Sequence, residues 1–268
     1  MDFRSVIQQT NRYNFHSHTQ YCDGRASMAD FADAAVRQNF LHYGFSPHSP
    51  VPIVSPCNMS MRAVDEYLAE TRRLQSLYAD RIRFYASMEV DYLGAHWGPS
   101  QRYFRNLGLD YVIGSVHFIP SQRGKLVDID GHFDSFRRKM AEEFDNDIEY
   151  VTNKFFDQSE LMLRCGGFEM IGHIDKVAHN AACFRPGIDS EPWFEQRVER
   201  LIAMAVADGV VIEINTKAWS EHHRMFPDTK WFPLLNKLGA MTVVNSDAHY
   251  PDLIDASRSE AFRLLRDS

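Results

Sequence analysis

The sequence predicts an α/β fold in which parallel strands close into a barrel. Strand-like and helix-like stretches alternate about seven times, which is typical of parallel strands joined by helical crossovers. Most of the strand-like stretches end in a histidine or an acidic residue. A barrel brings all of these ends to one face, whereas one crevice of an open doubly wound sheet would not easily gather them. The chain has 268 residues, a length common for one barrel domain, so we expect a single domain over residues 1–268.

The predicted strands are seven short stretches rich in Val, Ile, Phe or Tyr, with polar residues gathered at the carboxyl end of each. In chain order they cover residues 12–18, 42–48, 82–92, 110–118, 168–174, 209–216 and 240–249.

Helical periodicity occupies the intervals between these strands. Ser27 suits an N-cap for a helix within 27–40, and apolar residues recur at helical spacing within 60–79. Further helices are predicted within 133–165, 190–208, 228–238 and 252–266. The segment 133–165 is long enough for two helices or for one extended helix.

Composition excludes several classes of protein. Hydrophobic residues make up 44% of the chain and charged residues 24%, as in ordinary soluble globular proteins. We find no apolar run of about 18 residues that could span a membrane, and the start of the chain lacks the apolar core of a signal peptide, so we expect a cytoplasmic location. The net charge of −7 and the lack of a basic run argue against a nucleic-acid partner. No cysteine pair has Cys-x-x-Cys spacing, which argues against a zinc ribbon.

Metal-ligand residue types end six of the seven predicted strands. In "HSH" (16–18) the two histidines are two residues apart, so both face the same side of an extended strand, and the same spacing relates Asp247 to His249. Asp23 follows the first strand, where an Asp-Gly pair is also a turn signal. With that residue the candidate ligands are His16, His18, Asp23, His48, Glu89, His117, His173, Asp247 and His249.

These donors predict a site for more than one metal ion. Imidazole and carboxylate together suit zinc, iron or manganese, whereas a calcium site would use more oxygen. A catalytic ion takes about three or four protein ligands, so nine donors indicate two or three divalent ions, with Glu89 bridging.

Other polar residues are open to a simpler interpretation. A lone histidine is usually a surface or a satisfied core residue, and we apply that interpretation to His42, His96, His132, His179, His222 and His223, although a substrate role is conceivable for the last two. Glu213 and Asn215, in the sixth strand, could equally face the core rim or bind substrate.

The strand-end motifs, in their order, resemble the PHP (polymerase and histidinol phosphatase) family. They are "HSH" at 16–18, "YCDG" at 21–24, "GFSPHSP" at 44–50, "SMEVDY" at 87–92, "GSVHF" at 114–118, "IGHID" at 171–175, "EINT" at 213–216 and "NSDAH" at 245–249. The resemblance implies a distorted (β/α)7 TIM-like barrel and a trinuclear metal centre. With "VDID" at 127–130 it is greatest to the histidinol-phosphate phosphatase branch, which implies hydrolysis of L-histidinol phosphate to L-histidinol and phosphate in histidine biosynthesis.

The resemblance also implies how the ligands divide among three ions. One ion would take His16, His18, Glu89 and Asp247, a second Glu89, His117 and His173, and a third Asp23, His48 and His249.

We hypothesise that a metal-activated hydroxide near Glu89 attacks the phosphorus in line. Glu89, Asp247 and His249 are the residues that we place in catalysis. Candidate substrate contacts are Arg25, Arg123 and Lys176 for the phosphate, Asp128 and Asp130 for a substrate amine, and Asn215.

Three other functions stay open at this point. A phosphatase or phosphodiesterase on the same scaffold could act on another substrate, such as a nucleotide. A metal-dependent amidohydrolase also uses His-x-His on its first strand, but often has a modified lysine on a middle strand, where this chain has Glu89 and His117. A non-catalytic metal-binding protein is the third. The sequence leaves the oligomeric state undetermined.

Overall fold

The computed structural model describes residues 3–268 and contains one sheet of seven parallel strands. These strands are β1 (Tyr13–Asn14), β2 (His42–Phe45), β3 (Arg83–Asp91), β4 (Tyr111–Ser115), β7 (Met170–Ile171), β8 (Val211–Asn215) and β9 (Thr242–Asn245). They follow that order in space, and the two intervening strands, β5 (Phe118–Pro120) and β6 (Leu126–Asp128), form a separate antiparallel hairpin. The predicted seven-stranded, TIM-like barrel is confirmed.

Side chains of two asparagines close the barrel between its first and last strands. The side-chain oxygen of Asn245 accepts the backbone N–H of Phe15 at 2.9 Å, and that of Asn14 accepts the backbone N–H of Ser246 at 3.3 Å. They add to a short backbone bridge between Ser17 and Ala248, in which the N–H of His18 donates to the carbonyl of Ala248 at 2.9 Å. The barrel is therefore nearly closed although β1 contains only two residues.

The barrel interior is filled by large apolar side chains. Helix α1 (Phe3–Gln9) contributes Phe3, whose ring centroid lies 5.7 Å from that of Phe15 and 5.4 Å from that of Tyr111. The other members of this buried cluster are Val6, Tyr13, Tyr85, Ile113, Met170, Val211 and Val243. Because Glu89 lies four residues beyond Tyr85 on the same face of β3, the apolar cluster fills the barrel beneath it.

Ten further helices follow the strands and connecting loops. They are α2 (Met28–Arg37), α3 (Val64–Leu77), α4 (Arg102–Arg105), α5 (Phe133–Glu143), α6 (Ile148–Cys165), α7 (Val177–Phe184), α8 (Pro192–Ala207), α9 (Trp219–His222), α10 (Phe232–Leu238) and α11 (Arg258–Asp267). Ser27 caps α2 as predicted, in a reciprocal capping box with Asp30. The segment 133–165 forms two helices, α5 and α6.

Several predicted strands are shorter in the structure, because the backbone turns away at the polar strand ends. The stretch 168–174 contributes only β7, and the last strand stops at Asn245 instead of continuing to His249. His173 and Asp247 have φ values of 26° and 49°, in the left-handed region that interrupts an extended strand. The sequence pattern also missed α1, α4, α7, α9 and the β5–β6 hairpin. Among residues 3–268, no helix is long and apolar enough to cross a membrane.

Replacing Ile113 with alanine should destabilise the barrel. This fully buried side chain belongs to the interior cluster, so its truncation loses contacts and leaves a cavity. We expect the free energy of unfolding, measured by urea denaturation, to fall by about 2–5 kcal/mol. Leu77→Ala, at the exposed end of α3, is the control and should change it by less than about 0.5 kcal/mol. Equal losses in the two variants would contradict the interior role of Ile113.

Candidate metal centre

Glu89 lies at the centre of the predicted ligand residues, at the carboxyl ends of the barrel strands. Its side chain is 1% exposed, and its two carboxylate oxygens face five imidazoles. The nitrogens nearest Oε1 belong to His173 at 2.8 Å and His117 at 3.4 Å, and those nearest Oε2 belong to His48 at 3.0 Å, His16 at 3.3 Å and His18 at 3.5 Å. The structure therefore brings together residues that are far apart in sequence.

The remaining predicted ligands surround His18. Asp247 Oδ1 lies 3.0 Å from His18 Nε2, and the rings of His48 and His249 lie 4.3 and 4.2 Å from the His18 ring, measured between centroids. Asp23 Oδ2 is 3.4 Å from His249 Nε2. Since His16 is also within 3.7 Å of Asp247, all nine predicted residues belong to one continuous cluster.

Three subsets of the cluster bring their donor atoms within 4.8 Å of one another, close enough to share an ion. They are His18 with Asp23, His48 and His249; His16 with His18 and Asp247; and His48 with Glu89 and His117. His18 and His48 each appear in two subsets. This grouping differs in detail from the division implied by the resemblance, in which no histidine is shared and His173 joins Glu89 and His117.

Several atoms of the cluster are buried and have no hydrogen-bond partner. They are His16 Nε2, Asp23 Oδ1, His48 Nδ1 and Glu89 Oε2. Leaving such an atom unpaired costs about 1–3 kcal/mol. Four unpaired atoms in one place therefore indicate a common binding partner. A cation would satisfy acceptors that converge in this way, and imidazole with carboxylate is a donor set for zinc, iron or manganese. The residues present therefore fit divalent cations.

Two further carboxylates orient the imidazoles from behind. Asp91 Oδ1 lies 2.7 Å from His117 Nδ1, and Glu213 Oε1 lies 2.6 Å from His16 Nδ1. Because a carboxylate only accepts, each fixes the ring proton on Nδ1 and leaves the Nε2 lone pair facing the cluster. Sequence analysis missed Asp91, although its position two residues after Glu89 on one strand placed it on the same face. It left the role of Glu213 open.

Asn215 is hydrogen-bonded to two carboxylates at the cluster and does not line the adjoining cavity. It is fully buried, and its Nδ2 donates to Glu213 Oε2 at 3.1 Å and to Asp247 Oδ2 at 3.2 Å. Its predicted contact with substrate therefore has no support in this geometry. Asn245, which closes the barrel seam, also donates from Nδ2 to Glu213 Oε1 at 3.0 Å. One hydrogen-bond network thus joins the seam to the ligand cluster.

The carboxylates of the cluster favour positive charge on some of its histidines, whereas burial holds the pKa of His18 and of His173 below the usual value. Burial opposes protonation of His16, but Glu213, Asp247 and Glu89 together raise its pKa well above the usual value. Burial likewise opposes charge on His117, yet Asp91 and Glu89 raise its pKa to about 10. Protons and divalent cations therefore compete for the same nitrogens, and metal binding should release protons.

A cavity of about 650 Å³ opens beside the cluster. Four predicted ligands line it, namely Asp23, His48, His117 and His249. The predicted substrate contacts Lys176, Asp128 and Asp130 also line it. Its other polar lining residues include His132 and His179, which sequence analysis treated as ordinary histidines, His222, for which it left a substrate role open, and Lys217, which it missed. The position of Lys217 two residues after Asn215, just beyond β8, was the available signal.

Arg25 and Arg123 lie away from this cavity. Both are exposed, and Arg123 occupies the turn between β5 and β6. Arg25 approaches the cluster only through its backbone N–H, which donates to the carbonyl of His249 at 2.8 Å. Neither residue lines the cavity, and their contact with phosphate stays a prediction.

The family model described as the PHP domain matches residues 14–217 of the chain. A predicted histidinol-phosphatase from Schizosaccharomyces pombe is 26% identical over 258 residues, which cover 88% of this chain and 80% of that protein. A predicted histidinol-phosphatase from Deinococcus radiodurans is 26% identical over 262 residues, which cover 94% of this chain and 92% of that protein.

Two solved structures are similar in fold. The proposed histidinol phosphatase HisK from Listeria monocytogenes superposes with a TM-score of 0.81 at 18% identity, covering 92% of this chain and 99% of that one. The histidinol phosphate phosphatase HisK from Lactococcus lactis, complexed with zinc, L-histidinol and phosphate, superposes with a TM-score of 0.69 at 17% identity, covering 95% and 92%.

The His117→Ala variant should bind fewer metal ions per chain than the parent, because it loses an imidazole that faces Glu89. Elemental analysis of protein purified from zinc-supplemented medium measures this ratio. His96→Ala, at an exposed histidine outside the cluster, is the control and should match the parent. A parent with less than one metal ion per chain would contradict a multinuclear site.

Asp91→Asn should weaken zinc binding by about 10–100-fold while preserving side-chain shape, since the amide no longer fixes the His117 ring proton through a charged bond. Competition with a chromogenic chelator gives the dissociation constant. Asp80→Asn, at an exposed position, serves as the control for loss of one negative charge. If both variants bind zinc like the parent, Asp91 does not orient His117.

Proposed function

The chain belongs to the PHP domain family, and from that premise we propose that it is a metal-dependent phosphomonoesterase that hydrolyses L-histidinol phosphate to L-histidinol and phosphate. The main support is the convergence of nine histidine, aspartate and glutamate side chains, Glu89 among them, in one cluster beside an open cavity. The assignments of the relatives and the ligands of the Lactococcus lactis neighbour point to the same substrate. We further propose that residues 1–268 form one barrel domain and that its partner is this small molecule and not nucleic acid.

We propose that two or three divalent cations, of zinc, manganese or iron, are held by the three donor subsets described above. When bound, such cations polarise phosphoryl oxygens and lower the pKa of coordinated water. Glu89 belongs to one of these subsets, and its two oxygens face different imidazoles. His249 lines the cavity, and Asp247 is buried two residues before it. Selectivity for L-histidinol phosphate over other phosphomonoesters then depends on the residues that line the cavity.

The cavity wall offers groups of different chemistry for the two ends of the substrate. The ligand cluster becomes positive when cations bind and so suits a phosphate dianion. The carboxylates of Asp128 and Asp130, which also line the cavity, suit the ammonium group of histidinol. The phenyl rings of Phe118 and Phe226 add apolar surface for the imidazole ring. A volume of about 650 Å³ lies within the range of small-ligand sites.

Purified protein reconstituted with zinc should release phosphate from L-histidinol phosphate faster than from a nucleoside monophosphate or 4-nitrophenyl phosphate, because only the first has groups for both regions of the cavity. Initial rates of phosphate release across this panel provide the measurement. A chelator should abolish the activity, and added zinc should restore it. Turnover of the nucleotide well above that of L-histidinol phosphate would reject the proposed substrate, and inactivity on all three would reject the phosphatase.

A further inference from the structure

Lys217 stands at the boundary between the ligand cluster and the cavity. It lies two residues beyond the end of β8, and its backbone N–H donates to the side-chain oxygen of Asn215 at 3.1 Å. The preceding residue, Thr216, donates its backbone N–H to Asn245 at 2.9 Å and its hydroxyl to Ala256 at 2.6 Å. The backbone is therefore firmly positioned, while the Lys217 side chain is 40% exposed and lines the cavity.

The ammonium group of Lys217 has only long contacts in this arrangement. Its Nζ lies 3.5 Å from each carboxylate oxygen of Asp247 and 3.4 Å from His249 Nε2. Good hydrogen bonds from nitrogen to oxygen measure about 2.7–3.2 Å. Attraction between charges thus holds the ammonium in place more than directed bonds do, and its three donors are poorly used.

The atoms that attract Lys217 are the same atoms that are expected to bind cations. His249 Nδ1 lies 3.0 Å from the backbone carbonyl of Asp247, which must accept, so the ring proton sits on Nδ1 and the lone pair on Nε2. That lone pair can face the ammonium or a metal ion, but not both. Likewise, a cation on Asp247 cancels the charge that attracts Lys217. Cation binding must therefore release the ammonium group from this position.

Lys176, the other lysine that lines the cavity, has partners of its own. Its side chain is 15% exposed, and its Nζ lies 3.6 Å from Asp130 Oδ2 and 5.2 Å from the centre of the Phe226 ring. Neither partner belongs to the ligand cluster, so cations bound there leave this pair in place. Lys217 is thus the lysine whose nearest carboxylate, that of Asp247, is taken by cations when they bind.

We propose that Lys217 binds the phosphate group of the substrate once cations occupy the adjacent ligand cluster. The proposal rests on the proposed function, and it assigns Lys217 as a phosphate-binding residue beside the metal ligands. A released ammonium at the cavity edge lies next to the place where phosphoryl oxygens would meet the cations, and a phosphate oxygen replaces the carboxylate it has lost. Without cations, the same ammonium competes with metal for Asp247 and His249.

Two binding measurements on purified protein test this role without relying on turnover. Calorimetric titration of the zinc-loaded protein with inorganic phosphate should show Lys217→Met binding about tenfold or more weakly than the parent, since one charge-assisted hydrogen bond is lost. Lys217→Arg, which keeps the charge, should stay within about threefold. Lys237→Met, at an exposed lysine of α10, controls for loss of one positive charge and should match the parent. Chelator competition should show that Lys217→Met binds zinc at least as tightly as the parent.

Either of two results would overturn the proposal. Parent-like phosphate affinity in Lys217→Met would show that the lysine does not bind phosphate, and lowered zinc affinity would show that it merely supports the ligands. A parent that binds phosphate but does not hydrolyse L-histidinol phosphate would reject the proposed substrate alone. A zinc-loaded parent that binds no phosphate would reject both.

Discussion

The carboxylate of Glu89 must be neutralised inside the barrel, and most of the site follows from that requirement. A buried negative charge is costly unless it is paired, and the apolar side chains beneath Glu89 offer it no partner. Burial opposes its ionisation, but the surrounding imidazoles, with His16 foremost, lower its pKa well below the usual value. Strand ends from around the barrel therefore have to supply positive or metal-binding groups at one point.

The backbone is strained at two of the positions where the ligands converge. His173 and Asp247 both adopt left-handed φ values, which non-glycine residues avoid and which cluster at functional sites. At each position the strand ends and the side chain turns inward, towards Glu89 or towards His18. The fifth and last barrel strands are therefore short because the backbone turns at these ligand positions.

Sequence pattern predicted the ligand cluster better than its surroundings, for a physical reason. Residues on rigid strand ends, such as His117, have directions set by the parallel sheet, so their convergence follows from the barrel alone. Arg25 and Arg123 lie in loops, where nothing in the local pattern determines side-chain direction. Asp91 and Lys217 were missed for a different reason, since an acidic or basic residue near a strand end is ordinary until its partner is known. The strand lengths failed because hydrophobic alternation does not reveal a left-handed turn.

The side-chain amide of Asn245 makes hydrogen bonds both at the barrel seam and to the residues that position a metal ligand. Its oxygen accepts from Phe15 across the seam, and its nitrogen donates to Glu213, which in turn orients His16. Aspartate is nearly the same size but has no donor, and it would set a second carboxylate against Glu213. Conversion of this amide to a carboxylate would therefore repel Glu213 and disturb the imidazole that Glu213 orients, even though a carboxylate oxygen could still accept the N–H of Phe15. A single atom exchange, nitrogen for oxygen, would thus spare the strand contact and damage the ligand.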